Sequence, residues 1–230
     1  MRTHLLSLLT GVICAGLYVG AASAQAPAAN PQASAACTYR TSSWHVKKKR
    51  TVDRRRVEKT RGELTAEERD PDDPRCTVCS EDQTTLALPG LPEVTVCVHY
   101  ADQVKQALTE AKAAGFEIKS LVGYRVGRTR GKVVDDRRTQ FSNHSYGTAI
   151  DINAKNNGLY ARCTTKSPTK AEALRRCKLR VGGAWDPAKR PRRTVIEGGP
   201  AHKAFSAFWK WGGAIDGSIK DFMHFSITGR

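Results

Sequence analysis

Helical and strand-like patterns follow one another along residues 94–230 without a regular βαβ rhythm, which predicts an α+β fold rather than a doubly wound sheet. Three stretches carry that expectation: a helical stripe over 101–114, a short strand over 148–152 and a closing alternation over 222–228. No internal repeat is visible, and 230 residues suit one ordinary domain with extensions better than two full domains.

The elements follow in chain order. Arg2 and His4 precede an apolar run from Leu5 to about Val19, and Ala22-Ser23-Ala24 offers a cleavage site before Gln25. Residues 1–24 are therefore expected to be the signal peptide of an exported protein, periplasmic or secreted. A membrane anchor is the alternative, but the run is short against the roughly 20 residues of a span. No later segment reads as transmembrane. Residues 25–36 are rich in Ala, Pro and Gln, as in a flexible linker. Residues 38–75 carry Lys47-Lys48-Lys49-Arg50 and Arg54-Arg55-Arg56, with apolar residues too sparse for a core of their own. The span 25–93 thus reads as a linker and a basic, cysteine-bearing extension, ahead of a folded domain over 94–230.

Of the seven cysteines, Cys14 lies in the leader, and Cys37, Cys76, Cys79, Cys97, Cys163 and Cys177 remain. An even set in an exported chain predicts disulfides. Cys163 and Cys177 flank a short basic segment and form the expected pair. The other four would pair among themselves, or alternatively hold a structural zinc. The formal charge of +16 favours polyanionic partners, and anionic envelope polymers suit an exported chain. No nucleic-acid recognition motif is present.

Within 94–230, Ala101 to Ala114 reads as a helix with Val104, Leu108 and Ala111 on one stripe and Gly115 as its stop. Phe116-Glu117-Ile118 alternates like a strand. Ser167-Pro168 opens a helix reaching about Leu179. Ala201 to Trp211 is a further helical stretch with Phe205, Phe208 and Trp209 inward, and Phe222 to Thr228 reads as the last strand. His45, His99 and His202 read as surface or structural histidines.

The chemistry concentrates in two segments. Ser142-Asn143-His144-Ser145-Tyr146-Gly147-Thr148-Ala149-Ile150-Asp151 places a histidine before a glycine turn and a carboxylate on the strand that follows. On that strand Ala149 and Asp151 share one face, and Ile150 and Ile152 the other. Asp221-Phe222-Met223-His224-Phe225 adds a second imidazole and a second carboxylate. Two imidazoles and a carboxylate are what a catalytic zinc takes, with a fourth position left for water. Alternatively, Asp151 only orients His144 by a hydrogen bond. Asp221, three residues from His224, can serve as the base that takes a proton from water. Arg125, in the basic stretch Arg125, Arg128, Arg130, is the candidate cation for a developing oxyanion.

Gly123-Tyr124-Arg125, Ser142-x-His144-x-x-Gly147-x-Ala149-x-Asp151, Trp211-Gly212-Gly213 and Asp221-x-Met223-His224-Phe225 together resemble the peptidoglycan-cleaving zinc peptidases. These comprise the VanY-type D-Ala-D-Ala carboxypeptidases and the related L-Ala-D-Glu endopeptidases. The likeness spans about residues 94–228. It implies one Zn²⁺ per chain on His144, Asp151 and His224, Asp221 as general base, and Arg125 as stabiliser of the tetrahedral intermediate. It also implies a small antiparallel sheet flanked by helices with the zinc site on the sheet, as in hedgehog and DD-peptidase folds, and peptidoglycan stem peptides as substrate. Ser142, Tyr146 and Trp211 are candidate substrate contacts. Aspartate rather than glutamate at 221, and the Trp-Gly-Gly before it, look more like the endopeptidase branch. A non-catalytic wall-binding protein that keeps the fold is the alternative.

Overall fold

A computed structural model describes residues 31–163, 174 and 177–230; the expected signal peptide lies outside them. A single turn, α1 (Pro31–Ser34), leads into β1 (Ala36–His45) and β2 (Arg50–Thr60). After three short 3₁₀ turns come β3 (Gln83–Leu86), β4 (Val94–Cys97) and α2 (Ala101–Ala113). Then follow β5 (Leu121–Val122), β6 (Arg128–Val134), β7 (Arg137–Phe141), β8 (Ala149–Ile152), β9 (Leu159–Ala161) and β10 (Lys178–Val181). The chain closes with α3 (Pro200–Phe205), β11 (Lys210–Trp211), β12 (Ile219–Asp221) and β13 (His224–Ser226).

The expected α+β class holds, built from several small sheets rather than one. Their orders are β2-β1-β6-β7, β11-β13-β8-β5, β10-β9-β12 and β3-β4. All ladders are antiparallel except a single β1–β6 bridge, Ser43 to Arg128. Strands from the basic extension and from the following region therefore share one sheet. Only one face of β1 explains this: Cys37, Tyr39, Thr41 and His45 are buried, whereas β2 has no buried residue.

The helix expected over 101–114 is present. Val104, Ala107, Leu108 and Ala111 face the core, and burying a leucine-sized side chain contributes about 2 kcal/mol. Gly115 N–H donates to Lys112 O and Phe116 N–H to Ala111 O, closing a Schellman cap. Four other expectations need correction. Phe116 and Ile118 are buried, but 116–118 joins no ladder; its Glu117 N–H donates instead to Arg192 O at 2.7 Å. Leu179 stands in β10, and the rest of the helix expected over 167–179 falls mostly outside the described residues. The helix expected over 201–211 stops at Phe205, and Trp211 is already strand. The strand expected over 222–228 begins only at His224, because Phe222 and Met223 form a turn between β12 and β13.

The main core joins α2 to Ile150 and Ile152 of β8, Phe205, Trp209, Trp185 and Phe225. A second cluster gathers Cys37, Cys76, Cys79, Cys97, Tyr39, Val78, Phe141 and Tyr146. The expected Cys163–Cys177 disulfide is present, and the other four pair as Cys37–Cys79 and Cys76–Cys97. Their bonding to one another leaves no thiolates for the alternative structural zinc. Among the described residues no helix is long and apolar enough to cross a membrane.

Candidate metal centre

His144 sits in a one-turn 3₁₀ helix, Asn143–Tyr146, that opens at Ser142 and closes at Gly147. Gly147 has φ +70°, and a Cβ there would stand 2.0 Å from Gln83 Oε1. Only glycine fits both the left-handed backbone and that contact. The turn folds His144 back over β8, toward Asp151. His144 Nδ1 lies 2.8 Å from the carbonyl oxygen of Gly123. A carbonyl can only accept, so Nδ1 carries the proton and Nε2 presents its lone pair. This is the backbone-carbonyl orientation common behind metal-binding histidines. Gly123 itself is required by crowding, since a Cβ would lie 2.1 Å from Thr95 O.

Asp151 and His224 face each other across the β8–β13 ladder, so their side chains project from the same side of the sheet. Asp151 Oδ1 is 3.2 Å from His144 Nε2 and 3.0 Å from His224 Nδ1. Ligands at 2.0–2.1 Å around a tetrahedral zinc stand about 3.3 Å apart, close to the His144 Nε2–Asp151 Oδ1 distance, while the His224 Nδ1–Asp151 contact is a hydrogen bond that leaves His224 Nε2 free. One ligand atom from each of the three residues lies within 4.8 Å of the others. All three are buried. Burial raises the Asp151 carboxyl, but the two imidazoles override it and hold it well below the ordinary carboxylate range.

The polar atoms left over are informative. His144 Nε2, His224 Nε2 and Asp221 Oδ1 are buried with no hydrogen-bond partner. Most buried polar atoms are paired, so three orphans at one place mark a site built for something further. Two imidazoles and a carboxylate form a zinc-type donor set. Asp221 ends β12, three residues before His224 begins β13. The turn between them is pinned by Phe222, which stacks on Trp185 at 4.5 Å and meets Tyr160 and Trp211 edge-on. Burial pushes the Asp221 carboxyl up to about 7, against the pull of His224 and Arg125, while Asp151 adds to the rise. As a residue Asp221 is half-buried, but Oδ1 is fully enclosed. Arg125 is exposed, with Nη2 3.7 Å from Asp151 Oδ2 and its backbone N–H donating to His144 O at 2.9 Å.

The structure thus gathers His144, Asp151, His224, Asp221 and Arg125. It does not bring Tyr146 or Trp211 to the opening. Tyr146 packs in the cysteine cluster with its hydroxyl on Glu67 O at 2.8 Å, and Trp211 is buried with Nε1 donating to Phe222 O at 2.9 Å. Both are large aromatics recruited by the core, and Trp211 steadies the Asp221–His224 turn. Ser142 is buried at the start of the His144 turn, with Oγ unpartnered. Sequence reasoning missed the Gly123 carbonyl as the support of His144. The signal lay in Gly123-Tyr124-Arg125, but the crowding by Thr95 is visible only once folded.

On this small α+β protein, His144, Asp151 and His224 form a group that could hold a metal ion, with a second enclosed carboxylate, Asp221, beside them. Residues 136–227 match the family model described as D-alanyl-D-alanine carboxypeptidase. This supports the VanY-type resemblance and a peptidase related to peptidoglycan. The match spans less than half of the chain; it includes His144, Asp151, Asp221 and His224 but not Arg125. No curated protein and no solved structure matches the chain.

Proposed function

We propose that this chain is a zinc-dependent peptidase that hydrolyses a stem-peptide amide bond of bacterial peptidoglycan, of L-Ala-D-Glu endopeptidase or D-Ala-D-Ala carboxypeptidase type. The observation that carries the reading is the convergence of His144, Asp151 and His224 on one buried point, with the orphan Asp221 Oδ1 beside it. In this reading residues 1–24 are a cleaved leader, residues 94–230 form the peptidase domain, and the protein works outside the cytoplasm. Three disulfides among the described residues suit that compartment.

His144, Asp151 and His224 would hold the ion. A zinc ion held there would supply Lewis acidity and make water easier to deprotonate. The remaining work falls to the chain. Gly123 O keeps His144 in the tautomer that offers Nε2. Asp221, enclosed and reluctant to stay charged, takes the proton from the attacking water and passes it to the leaving amine. Arg125 presents a guanidinium to the oxyanion that forms on the scissile carbonyl. A donor so placed can contribute about 3–4 kcal/mol.

The experiment is direct. Purified protein should contain one zinc per chain and release peptide fragments from purified sacculi, and a chelator should stop the release. Asp221→Ala should keep the zinc and lose nearly all turnover; His144→Ala should lose both. A fully active Asp221→Ala protein, or a wild type without stoichiometric zinc, overturns the assignment. Sacculus binding with no fragments would point to a wall-binding protein. The masses of released fragments identify the bond cut.

A further inference from the structure

Arg125 joins the metal centre to a groove that the mechanism above does not use. On one side its guanidinium stands 3.7 Å from Asp151. On the other it lines two adjoining cavities of about 580 and 530 Å³, which also share Arg40, Arg56 and Val126. The larger one adds Arg54 and Arg55. Volumes of this size are typical of ligand sites. The β1–β2 hairpin supplies the arginine wall, and it lies wholly outside the residues that match the peptidase family.

A backbone irregularity shapes that wall. Thr41 pairs with Arg55 and Ser43 with Val52, so Asp53 and Arg54 together oppose Ser42 in a β-bulge. Asp53 takes φ +54°, a conformation that costs a non-glycine residue on the order of 1 kcal/mol. Arg54, Arg55 and Arg56 all line the larger cavity, while Asp53 pairs with Arg137 at 2.6 Å.

The nearby carboxylates are already engaged. Glu58 pairs with Arg56 at 2.6 Å, and Glu81 accepts from the Thr38 amide and hydroxyl. Arg61, Arg75, Arg128, Arg137 and Arg193 each meet a carboxylate. Among the described residues Arg40, Arg54 and Arg55 meet none. The fold neutralises many of its arginines and leaves these three facing one open space.

We propose that this groove binds free carboxylates of the substrate's own stem peptide. The inference rests on the peptidase reading. A ligand filling the cavities lies against Arg125 and therefore beside the metal centre, so the groove continues the cleft rather than forming a separate surface. Guanidinium groups match carboxylates with paired, charge-assisted hydrogen bonds.

The test uses two synthetic stem peptides with the same scissile bond, one with the D-glutamate carboxylate free and one with it amidated. The triple variant Arg40→Gln/Arg54→Gln/Arg55→Gln should raise KM for the free-carboxylate peptide about tenfold or more. Its kcat should stay within about twofold, its zinc content should not change, and KM for the amidated peptide should hardly move. A matching Arg→Lys triple variant should recover part of the loss, which a folding defect would not allow. Equal KM shifts for both peptides, or no shift, overturn the groove assignment. Equilibrium binding of the same peptides to the Asp221→Ala protein reads the groove without turnover. Arginine-dependent binding there, with no cleavage by wild type, would sink the peptidase reading and keep the groove. Loss of affinity for a glycerol-phosphate polymer, with peptide binding intact, would assign the groove to an envelope polymer and overturn the proposal.

Discussion

The ring of His144 is held by a carbonyl whose residue has no room for a side chain. Gly123→Ala would place a methyl 2.1 Å from Thr95 O, so the backbone just after β5 must shift and take the Gly123 carbonyl with it. Overpacking of this kind costs about 1–3 kcal/mol, and loss of a supporting hydrogen bond weakens metal binding roughly 10–100-fold. A zinc titration of the Ala variant should read that loss; unchanged affinity would mean the carbonyl does not position the ring. Asp221 gives a prediction in pH. Its carboxyl titrates at about 7 in the folded protein, driven by burial and modulated by His224, Asp151 and Arg125, and near 4 when unfolded. Between those values the folded state holds the extra proton, so this group's contribution to stability is present at low pH and is lost as pH rises from about 4 to 7. Asp151 acts oppositely: its depressed carboxyl contributes stability above about pH 4 that is lost on acidification. In chelator-treated protein, Asp221→Asn should therefore flatten the fall in Tm between pH 4 and 7. An unchanged slope would show that Asp221 is not the enclosed acid. These residues were legible in the primary sequence because histidines and carboxylates in short, turn-bearing motifs are conspicuous; the Gly123 carbonyl was not, because every residue has one.

The elements differ in how plainly the sequence announced them. Helix α2 could be read from Val104, Leu108 and Ala111 at helical spacing and from Gly115, since its packing and its cap are both local. Strand β8 could be read from Gly147 and the Ala-Ile-Asp-Ile alternation. The β1–β2 hairpin could not, because β2 buries nothing and β1 presents Cys, Tyr, Thr and His rather than large aliphatics to its core. What secures that hairpin is long-range: the Cys37–Cys79 bond and the sheet partners β6 and β7. Phe205, Phe208 and Trp209 mimic a helix stripe, yet α3 ends at Phe205 and a turn carries the other two rings toward the same core. The second disulfide has a consequence for the site. Cys97, bonded to Cys76, donates its N–H at 3.0 Å to the carbonyl of Gly147, which closes the His144 turn. Removing such a bond costs about 2–4 kcal/mol. Cys76→Ala/Cys97→Ala should lose stability in that range in denaturant melts and should also bind zinc more weakly. By contrast, opening Cys37–Cys79 should lower stability with a smaller effect on zinc, because that bond anchors the hairpin instead. Equal zinc losses in both variants would disconnect the Cys76–Cys97 bond from the site.

At the scale of the whole molecule, the charge of +16 acts in two directions at once. It repels itself in the folded state, and it attracts an anionic partner from beyond contact distance. Composition alone cannot separate these effects, because it says nothing of where the charges sit. The fold separates them: Glu117 meets Arg192 and Arg193, and Glu67 meets Arg128, whereas Arg40, Arg54 and Arg55 gather unpaired on one wall. Salt tests both effects in opposite senses. Raising ionic strength from about 0.05 to 0.5 M shortens the screening length several-fold. It should raise Tm modestly by relieving self-repulsion, and the surface ion pairs it weakens contribute little. It should also loosen binding of the Asp221→Ala protein to purified sacculi. The arginine triple variant should bind sacculi more weakly at low salt and lose less of that binding as salt rises, because it has less local charge left to screen. If its salt slope equals that of the protein with the wall intact, the attraction arises from charge spread over the surface, and the groove plays no part in bringing substrate to the metal centre.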